Sequence, residues 1–534
     1  MKNKKKTASI IGIISIVIIA VAAALFFPWE KSPEGIVIGS SNLPDSLNPI
    51  LEQNTAALNA DELVFDGLVN FEVDAASGKI SSELAIAESI TQDPVTKKIY
   101  TVTLRQMTWH DGTELTAKDV VFSYNAYVEP LNKSPKREYI LSFIKKVKAI
   151  DDKTVEITFR KPIPPFRVYP VLTFKIIPES YNGKKLALNL RSGENERLFA
   201  VQPIGTGPFR LASWEIGKWL TFSANPGYFR RQPAAGTLII RKFIDPVIRL
   251  NEFRKGRINL ILETSPLDRP KIEGISGVDI NWYLPYAFYK VAINSKSSLF
   301  NNAYSRQALP ASLNRAALVP GITDRKDVVL NYGPFPSNLF SLNMKEYNVE
   351  PLKDTMPYDI ALAEKLAVSG GINEKAAILL YPDSLGEFGK KISEGMVKQF
   401  AEIGLTVTAK RTGDQVFNRL VFVEKNYDLA LLYCDGFDNL YSDLDKWYRS
   451  DGMYNIFGIQ DEDLDLLFDT WDSTVVMADW TRITRQIHDR ILSLAPAVYL
   501  CTLEKDVYSR KIKNIVIASD NPFLSAEDWS LVGL

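Results

Sequence analysis

From residue 360 to residue 500 the chain alternates helix-period and strand-period apolar blocks, and this alternation limits the possible folds more than any other feature. Ile360 opens a helix that Gly370-Gly371 ends, and residues 376–381 follow as a buried-strand run. Residues 385–403 carry Ile392, Met396, Phe400 and Ile403 at helical spacing before Gly404 stops them, and residues 405–408 are the next strand. A short helix near 415–423, a strand at 428–433, helices around 463–471 and 480–494 and a strand at 497–500 complete the series. Repeated strand-helix-strand units predict an α/β lobe built on a mainly parallel sheet covered on both faces.

The first half follows another rhythm. Lys148-Ala149-Ile150, the turn Asp151-Asp152-Lys153 and residues 154–159 put Val155, Ile157 and Phe159 on one face, with Thr154, Glu156 and Thr158 on the other. That is a half-buried hairpin. Similar signals surround residues 209–214 and 219–222, the turn Asn225-Pro226-Gly227, and residues 238–243. A chain of 534 residues exceeds one hydrophobic core, since cores stop growing at about 250 to 300 residues. Two or more lobes are expected, without internal repeats, low-complexity tracts or long linkers.

Lys2, Lys4, Lys5 and Lys6 precede an uncharged run over residues 7–28, long enough for a bilayer that needs about 20 apolar residues. Residues 1–30 therefore read as a signal peptide or a transmembrane anchor, with the lysines cytoplasmic and the bulk of the chain translocated. Ala20-Val21-Ala22 and Ala22-Ala23-Ala24 fit the small-x-small pattern of cleavage, whereas the length and Leu25-Phe26-Phe27 favour retention. No cysteine follows the segment, which excludes lipid attachment there. The two cysteines, Cys434 and Cys501, both follow strand-like runs and are either a disulfide or two buried thiols.

Chemistry-bearing motifs are scarce. Lys plus Arg and Asp plus Glu are 63 each, so no net basic field exists to hold a nucleic acid. The two histidines, His110 and His488, lie too far apart in sequence to suggest a metal site. Gly205-Thr206-Gly207-Pro208 lacks the lysine and further glycines of a phosphate loop, and no Gly-x-Ser-x-Gly elbow occurs. His110 itself follows the strand-like Tyr100-Thr101-Val102-Thr103-Leu104, precedes the turn pair Asp111-Gly112, and leads to a capping box of Thr116 with Asp119. These are scaffold positions. The expectation is a protein that is not an enzyme and has no cofactor or metal.

The stretch WHDGTELTAKDVVFSY (residues 109–124) closely resembles the signature of family 5 extracellular solute-binding proteins, the binding proteins of peptide and nickel ABC importers. LPDSLNPI (43–50), GTGPFRLASW (205–214), SRQALPASLNRAALV (305–319), YDIALAEKLAVSGG (358–371), FAEIGLTV (400–407) and APAVYL (495–500) resemble further family blocks in the same order. The resemblance covers residues 36 to the C-terminus. It implies an α/β, two-lobed periplasmic-binding-protein type II fold of cluster C with an additional third domain, to which the run over residues 7–28 adds an N-terminal hydrophobic helix. By analogy lobe I comprises residues 33–71, 205–293 and 500–534, the additional domain residues 72–204, and lobe II residues 294–499.

The resemblance further implies capture of oligopeptides or a related small polar solute by interlobe closure, and delivery to ABC importer permease subunits. A monomer is expected, periplasmic or on the extracytoplasmic face of the cell membrane, and membrane-associated through residues 7–28 if these are uncleaved. Peptide binders of the family pair the peptide ammonium with a carboxylate after an aromatic strand end. The matching stretch is LALLYCDGFDNLYSD (429–443), where Gly436 stands at the carboxylate position with Asp435 and Asp438 flanking it. The ligand-contact candidates are Ser41, Asn42, Leu43, Tyr289, Tyr433, Asp435, Phe437 and Asp438. Asp435 and Asp438 serve either as ligand contacts or as turn residues, and Tyr433, Phe437 and Trp447 either as stacking surfaces or as core. Tyr286 and Tyr289 lie near the interlobe crossing. The alternative is a membrane-anchored sensor or chaperone-like binding protein using the same fold for a non-peptide ligand.

Overall fold

The computed structural model describes residues 35–52, 54–74, 80–163, 165–262, 264–265, 267–285, 287–323, 328–331, 333–335, 357–434, 440–518 and 521–532. Two large sheets organise it. The first has seven strands in the order Phe209–Glu215, Trp219–Ala224, Thr237–Lys242, Ile36–Ser40, Leu260–Ile261, Lys505–Ser509 and Asp279–Tyr283. The second has six, in the order Val329–Leu330, Ala497–Thr502, Phe288–Ile293, Leu429–Cys434, Ala376–Pro382 and Thr406–Thr412.

A four-stranded antiparallel sheet, Ala87–Gln92, Ile99–Leu104, Thr154–Phe159 and Ile144–Ala149, holds the sequence between them. Its hairpin buries Val155, Ile157 and Phe159, the face that their alternation selects. The capping box of Thr116 and Asp119 forms at the start of helix Ala117–Val128, and Asp119 Oδ1 also accepts from the backbone N–H of Glu179 at 2.7 Å. This sheet has no separate core. Val102, Tyr127, Ile157 and Phe174 pack in one cluster with Ile36, Leu63, Phe209, Leu238 and Trp529 of the first lobe.

The second lobe is covered on both faces, and the alternation of its central strand sorts its residues. Phe288 and Ala292 join one core with Leu432, Tyr448, Trp471 and Trp480, while Tyr289, Val291 and Ile293 join the other with Phe388, Met396 and Phe400. Helix Ile360–Gly370 ends at Gly371, whose φ of 71° is the left-handed cap that glycine adopts without a Cβ penalty. Helix Gly386–Glu402 and helix Met477–Leu494 lie over these cores as the spacing predicts, and the expected helix near 415–423 is Asp414–Asn418 followed by a π-helical turn, Arg419–Val423.

The expectation of a mainly parallel sheet is corrected. Strand Ala376–Pro382 is parallel to Thr406–Thr412 and to Leu429–Cys434, but Phe288–Ile293 and Ala497–Thr502 run antiparallel to their neighbours. Phe288–Ile293 enters directly from the first sheet instead of through a helical crossover, so nothing forces it to run parallel, whereas Ala497–Thr502 follows helix Met477–Leu494 and points the same way as Leu429–Cys434. Phe288–Ile293 is paired within the second sheet, so a boundary at residue 293 would separate that strand from its partners, and Ala497–Thr502 belongs to the same sheet.

Cys434 and Cys501 flank strand Phe288–Ile293 on its two sides, about two strand spacings or ~10 Å apart, and project to opposite faces. That exceeds disulfide reach. Both are buried thiols that form no disulfide, and burial pushes the Cys501 thiol far up. Residues 1–30 lie outside the described residues. Among those described, no helix is long and apolar enough to cross a membrane.

Candidate functional site

Strand register locates a crevice. In the first sheet Ile36–Ser40 runs parallel to Thr237–Lys242 and Leu260–Ile261, and Leu260 and Ile261 pair antiparallel with Ser509 and Tyr508, so these strands point toward the Lys505 end of Lys505–Ser509. Their carboxyl ends therefore lie at the edge where residue 283 leaves the sheet and residue 505 enters it. In the second sheet Phe288 pairs with Cys434 and Tyr289 with Cys501, so the carboxyl ends of Ala376–Pro382, Thr406–Thr412 and Leu429–Cys434 share the edge where residue 288 enters and residue 502 leaves. Both sets of carboxyl ends open on the same crossing, the usual place for a ligand in an open α/β sheet.

The crossing is a two-stranded antiparallel ribbon. Asp279–Tyr283 pairs with Lys505–Ser509 in the first sheet, and Phe288–Ile293 pairs with Ala497–Thr502 in the second. Between them Thr502 Oγ1 donates to the Ala287 carbonyl at 2.9 Å. The first-lobe end is fixed by Arg269, which donates to the Asp506 carboxylate from Nε at 3.2 Å and from Nη2 at 2.5 Å, and by Thr264 Oγ1, which donates to the Asp506 carbonyl at 2.7 Å. Asp506 is buried, so this bidentate pair is a permanent strut of the lobe.

Ser40 closes the first strand with its hydroxyl donating to the Asn42 carbonyl at 2.6 Å and accepting from the Asn42 N–H at 3.2 Å. That turn leaves Ser41 half-buried and Asn42 exposed at the crevice edge, whereas the Leu43 side chain turns into the first core. Tyr289 and Tyr433 stand directly opposite each other in the second sheet, their rings 4.9 Å apart, and Phe388 packs on Tyr289 at the same distance. Lys505 Nζ lies 5.2 Å from the Tyr433 ring centroid, a cation over an aromatic face that joins the ribbon to the second sheet. The structure thus brings Asn42 and the Tyr289–Tyr433 pair to one crossing. Asp435, Gly436, Phe437, Asp438 and Tyr286 lie outside the described residues.

Lys290 escaped the sequence reading. It is fully buried, with its ammonium 4.1 Å from the Trp447 ring centroid, 5.0 Å from Phe457 and 5.4 Å from Tyr448, whose hydroxyl lies 3.4 Å away. Burial pulls its pKa down, the neighbouring Cys434 opposes that shift, and the aromatic faces add cation–π contacts. A single lysine inside the apolar run FYKVAI was the legible signal. Trp447 therefore packs as one wall of a cation box.

His110 sits away from the crossing. Its Nε2–H donates to the Gly207 carbonyl at 3.0 Å and its Nδ1 accepts from the Gly205 N–H at 3.2 Å, a tautomer assigned from these partners. Burial lowers its pKa to about 4, so the ring is neutral and serves as a clamp on the 205–208 loop. Among the described residues no group of three or more His, Cys, Asp or Glu could hold a metal ion.

Residues 82–455 match the model of the middle region of bacterial extracellular solute-binding proteins, family 5. Protein XP55 of Streptomyces lividans is 29% identical over 57% of this chain, and the oligopeptide-binding protein AppA of Bacillus subtilis 26% identical over 54%. The chain spans about half the length of these two curated relatives, 53% and 51%. The solved structure of the ABC transporter substrate-binding protein CtaP of Listeria monocytogenes superposes with a TM-score of 0.81 at 24% identity, covering 93% of this chain and 99% of that one. NikZ of Campylobacter jejuni, solved with Ni(L-His), does so with a TM-score of 0.76 at 19% identity, covering 93% and 99%.

Proposed function

The chain belongs to the bacterial extracellular solute-binding proteins of family 5, and from that premise we propose that it captures a small polar solute, with short peptides the foremost class, and passes it to the permease subunits of an ABC importer. The family transports and does not catalyse. The observation that carries the reading is the convergence of both sets of strand carboxyl ends on one crossing ribbon, where Asn42 offers an exposed amide and Tyr433 an aromatic wall. In this reading the lobes close about the ribbon near Ala287 and residues 503–504, residues 72–204 act as an additional domain, and the protein works as a monomer outside the cytoplasm.

The peptide class rests on relatives such as the oligopeptide-binding AppA, while NikZ with Ni(L-His) represents the non-peptide alternative on the same fold. Asp435 or Asp438 would pair with a ligand ammonium in a crevice that excludes water. Native mass spectrometry of residues 31–534, purified without denaturation, tests this. A heterogeneous set of co-purified short peptides, lost on Asp435→Asn or Asp438→Asn, is the expected result. A single non-peptide species, or a protein that ignores peptide mixtures, would overturn the peptide assignment and leave the solute-binding one.

A further inference from the structure

The crossing ribbon is not the only connection between the lobes. Helix Pro165–Val171 belongs to the sequence around the four-stranded sheet, with Val168 and Val171 in the first core, yet its Arg167 reaches the second lobe. The Arg167 side chain is 2% exposed. Its guanidinium carbon lies 4.9 Å from the Phe143 ring centroid on its own side and 5.8 Å from the Trp471 ring centroid across the gap. Nη1 is 3.6 Å from Asp472 Oδ1. Nearby, Ile80 of the hairpin Val69–Val73 and Ile80–Leu84 packs against the same second-lobe core.

The receiving side is built to stay in place. Trp471 stacks on Trp480 at 5.3 Å and 23°, and its Nε1–H donates to Thr484 Oγ1 at 2.8 Å, so the indole presented to Arg167 is held by two helices. Phe143, at the end of helix Arg137–Phe143, is part of the first core. Two anchored rings and one carboxylate therefore meet a cation carried by a third element.

We propose that Arg167 is a reversible clasp: its guanidinium, seated between Phe143 of the first unit and Trp471 with Asp472 of the second, holds the lobes together at a second point besides the ribbon and sets the balance between open and closed states. The inference rests on the solute-capture reading for its purpose, but its test needs no solute. The contact has the energetics of a clasp. Parting the lobes would rehydrate the guanidinium, which offsets the lost cation–π contact and the 3.6 Å ion pair to an Asp472 side chain that is 40% exposed. Arg269 and Asp506 contrast with it, forming a bidentate pair inside one lobe that lobe motion does not touch.

Spin labels on Lys146→Cys and Leu466→Cys, both at exposed positions of the two units, would report the interlobe distance in the full chain held in detergent without added ligand. The native thiols are buried and stay unlabelled. The clasp predicts that Arg167→Ala increases the long-distance population about ten-fold relative to the unsubstituted protein. Asp472→Lys, at a half-exposed position that leaves folding intact, is expected to shift it in the same direction by a smaller factor. An unchanged distance distribution in a folded Arg167→Ala protein overturns the clasp. If that variant does not fold, an unchanged distribution in Asp472→Lys does so. A protein that binds no peptide yet opens on either substitution retains the clasp and loses the peptide reading.

Discussion

His110 shows how a residue with catalytic potential becomes structural. Both ring nitrogens are occupied by backbone groups of the 205–208 loop, and Arg210 Nη1 donates to its carbonyl at 3.0 Å, so a proton on Nδ1 would displace the Gly205 N–H. The folded pKa, about 4, lies below the ordinary value of 6.5. The unfolded chain therefore binds the proton more tightly, and stability is complete above pH 6.5 and falls as the pH drops toward 4. The loss amounts to about 3 kcal/mol at 1.36 kcal/mol per unit. Urea denaturation at pH 7, 6, 5 and 4 should show this slope, and His110→Gln should flatten it while lowering stability at pH 7. An equal slope in both proteins would assign the acid sensitivity to other groups. The local pattern around residue 110 showed the turn and the capping box, whereas the neutral, doubly bonded ring depends on a loop almost a hundred residues away. The aromatic surroundings of Lys290 and Arg167 were illegible for the same reason, although the apolar run FYKVAI marks Lys290 as a lysine in a buried strand. The rings around each cation are brought by elements far off in sequence, beyond any local window.

Elements whose signals fit within one window came through well. The capped helix Ile360–Gly370 and the hairpin of Ile144–Ala149 with Thr154–Phe159 were legible because their periodicity and turn residues are adjacent. Strand direction in the second sheet was not, since it depends on whether the chain arrives through a helix or through the ribbon. Glycines at element ends divide along the same line. At Gly371 a Cβ meets nothing within 4 Å, so Gly371→Ala incurs only the cost of its φ of 71°, about 1 kcal/mol. At Gly205 a Cβ would sit 1.7 Å from the carbonyl oxygen of Val64, at the end of helix Thr55–Val64. That carbonyl accepts from the Gly207 N–H at 2.9 Å, so neither backbone can give way without breaking the junction. Gly205→Ala is expected to cost about 3 kcal/mol or more. Chemical denaturation of the two variants side by side checks the contrast, and equal losses would mean that the 205–208 loop repacks freely.

At the scale of the whole molecule, the cores divide the chain differently from the sheets. The four-stranded sheet joins the first lobe through a single cluster that includes Val102, Ile157, Leu63 and Phe222, so these two parts should melt together although they form separate sheets. The second lobe has its own cores on both faces of Phe288–Ile293, and the connections described between it and the rest are the ribbon, the Lys505–Tyr433 contact and the clasp region. The length of the chain foretold more than one lobe, but neither length nor the change of rhythm could show which segments share a core, because that sharing is a matter of packing between residues hundreds of positions apart. Such an arrangement predicts two calorimetric transitions. Phe222→Ala, in the first core, should lower one of them, and Phe400→Ala, in the second lobe, the other, each by a core-truncation cost of about 3 to 5 kcal/mol. A single transition that both substitutions lower equally would mean that the ribbon and the clasp couple the lobes as strongly as a shared core does. The Arg167→Ala protein would then decide how much of that coupling the clasp carries, because losing it should split the single transition in two.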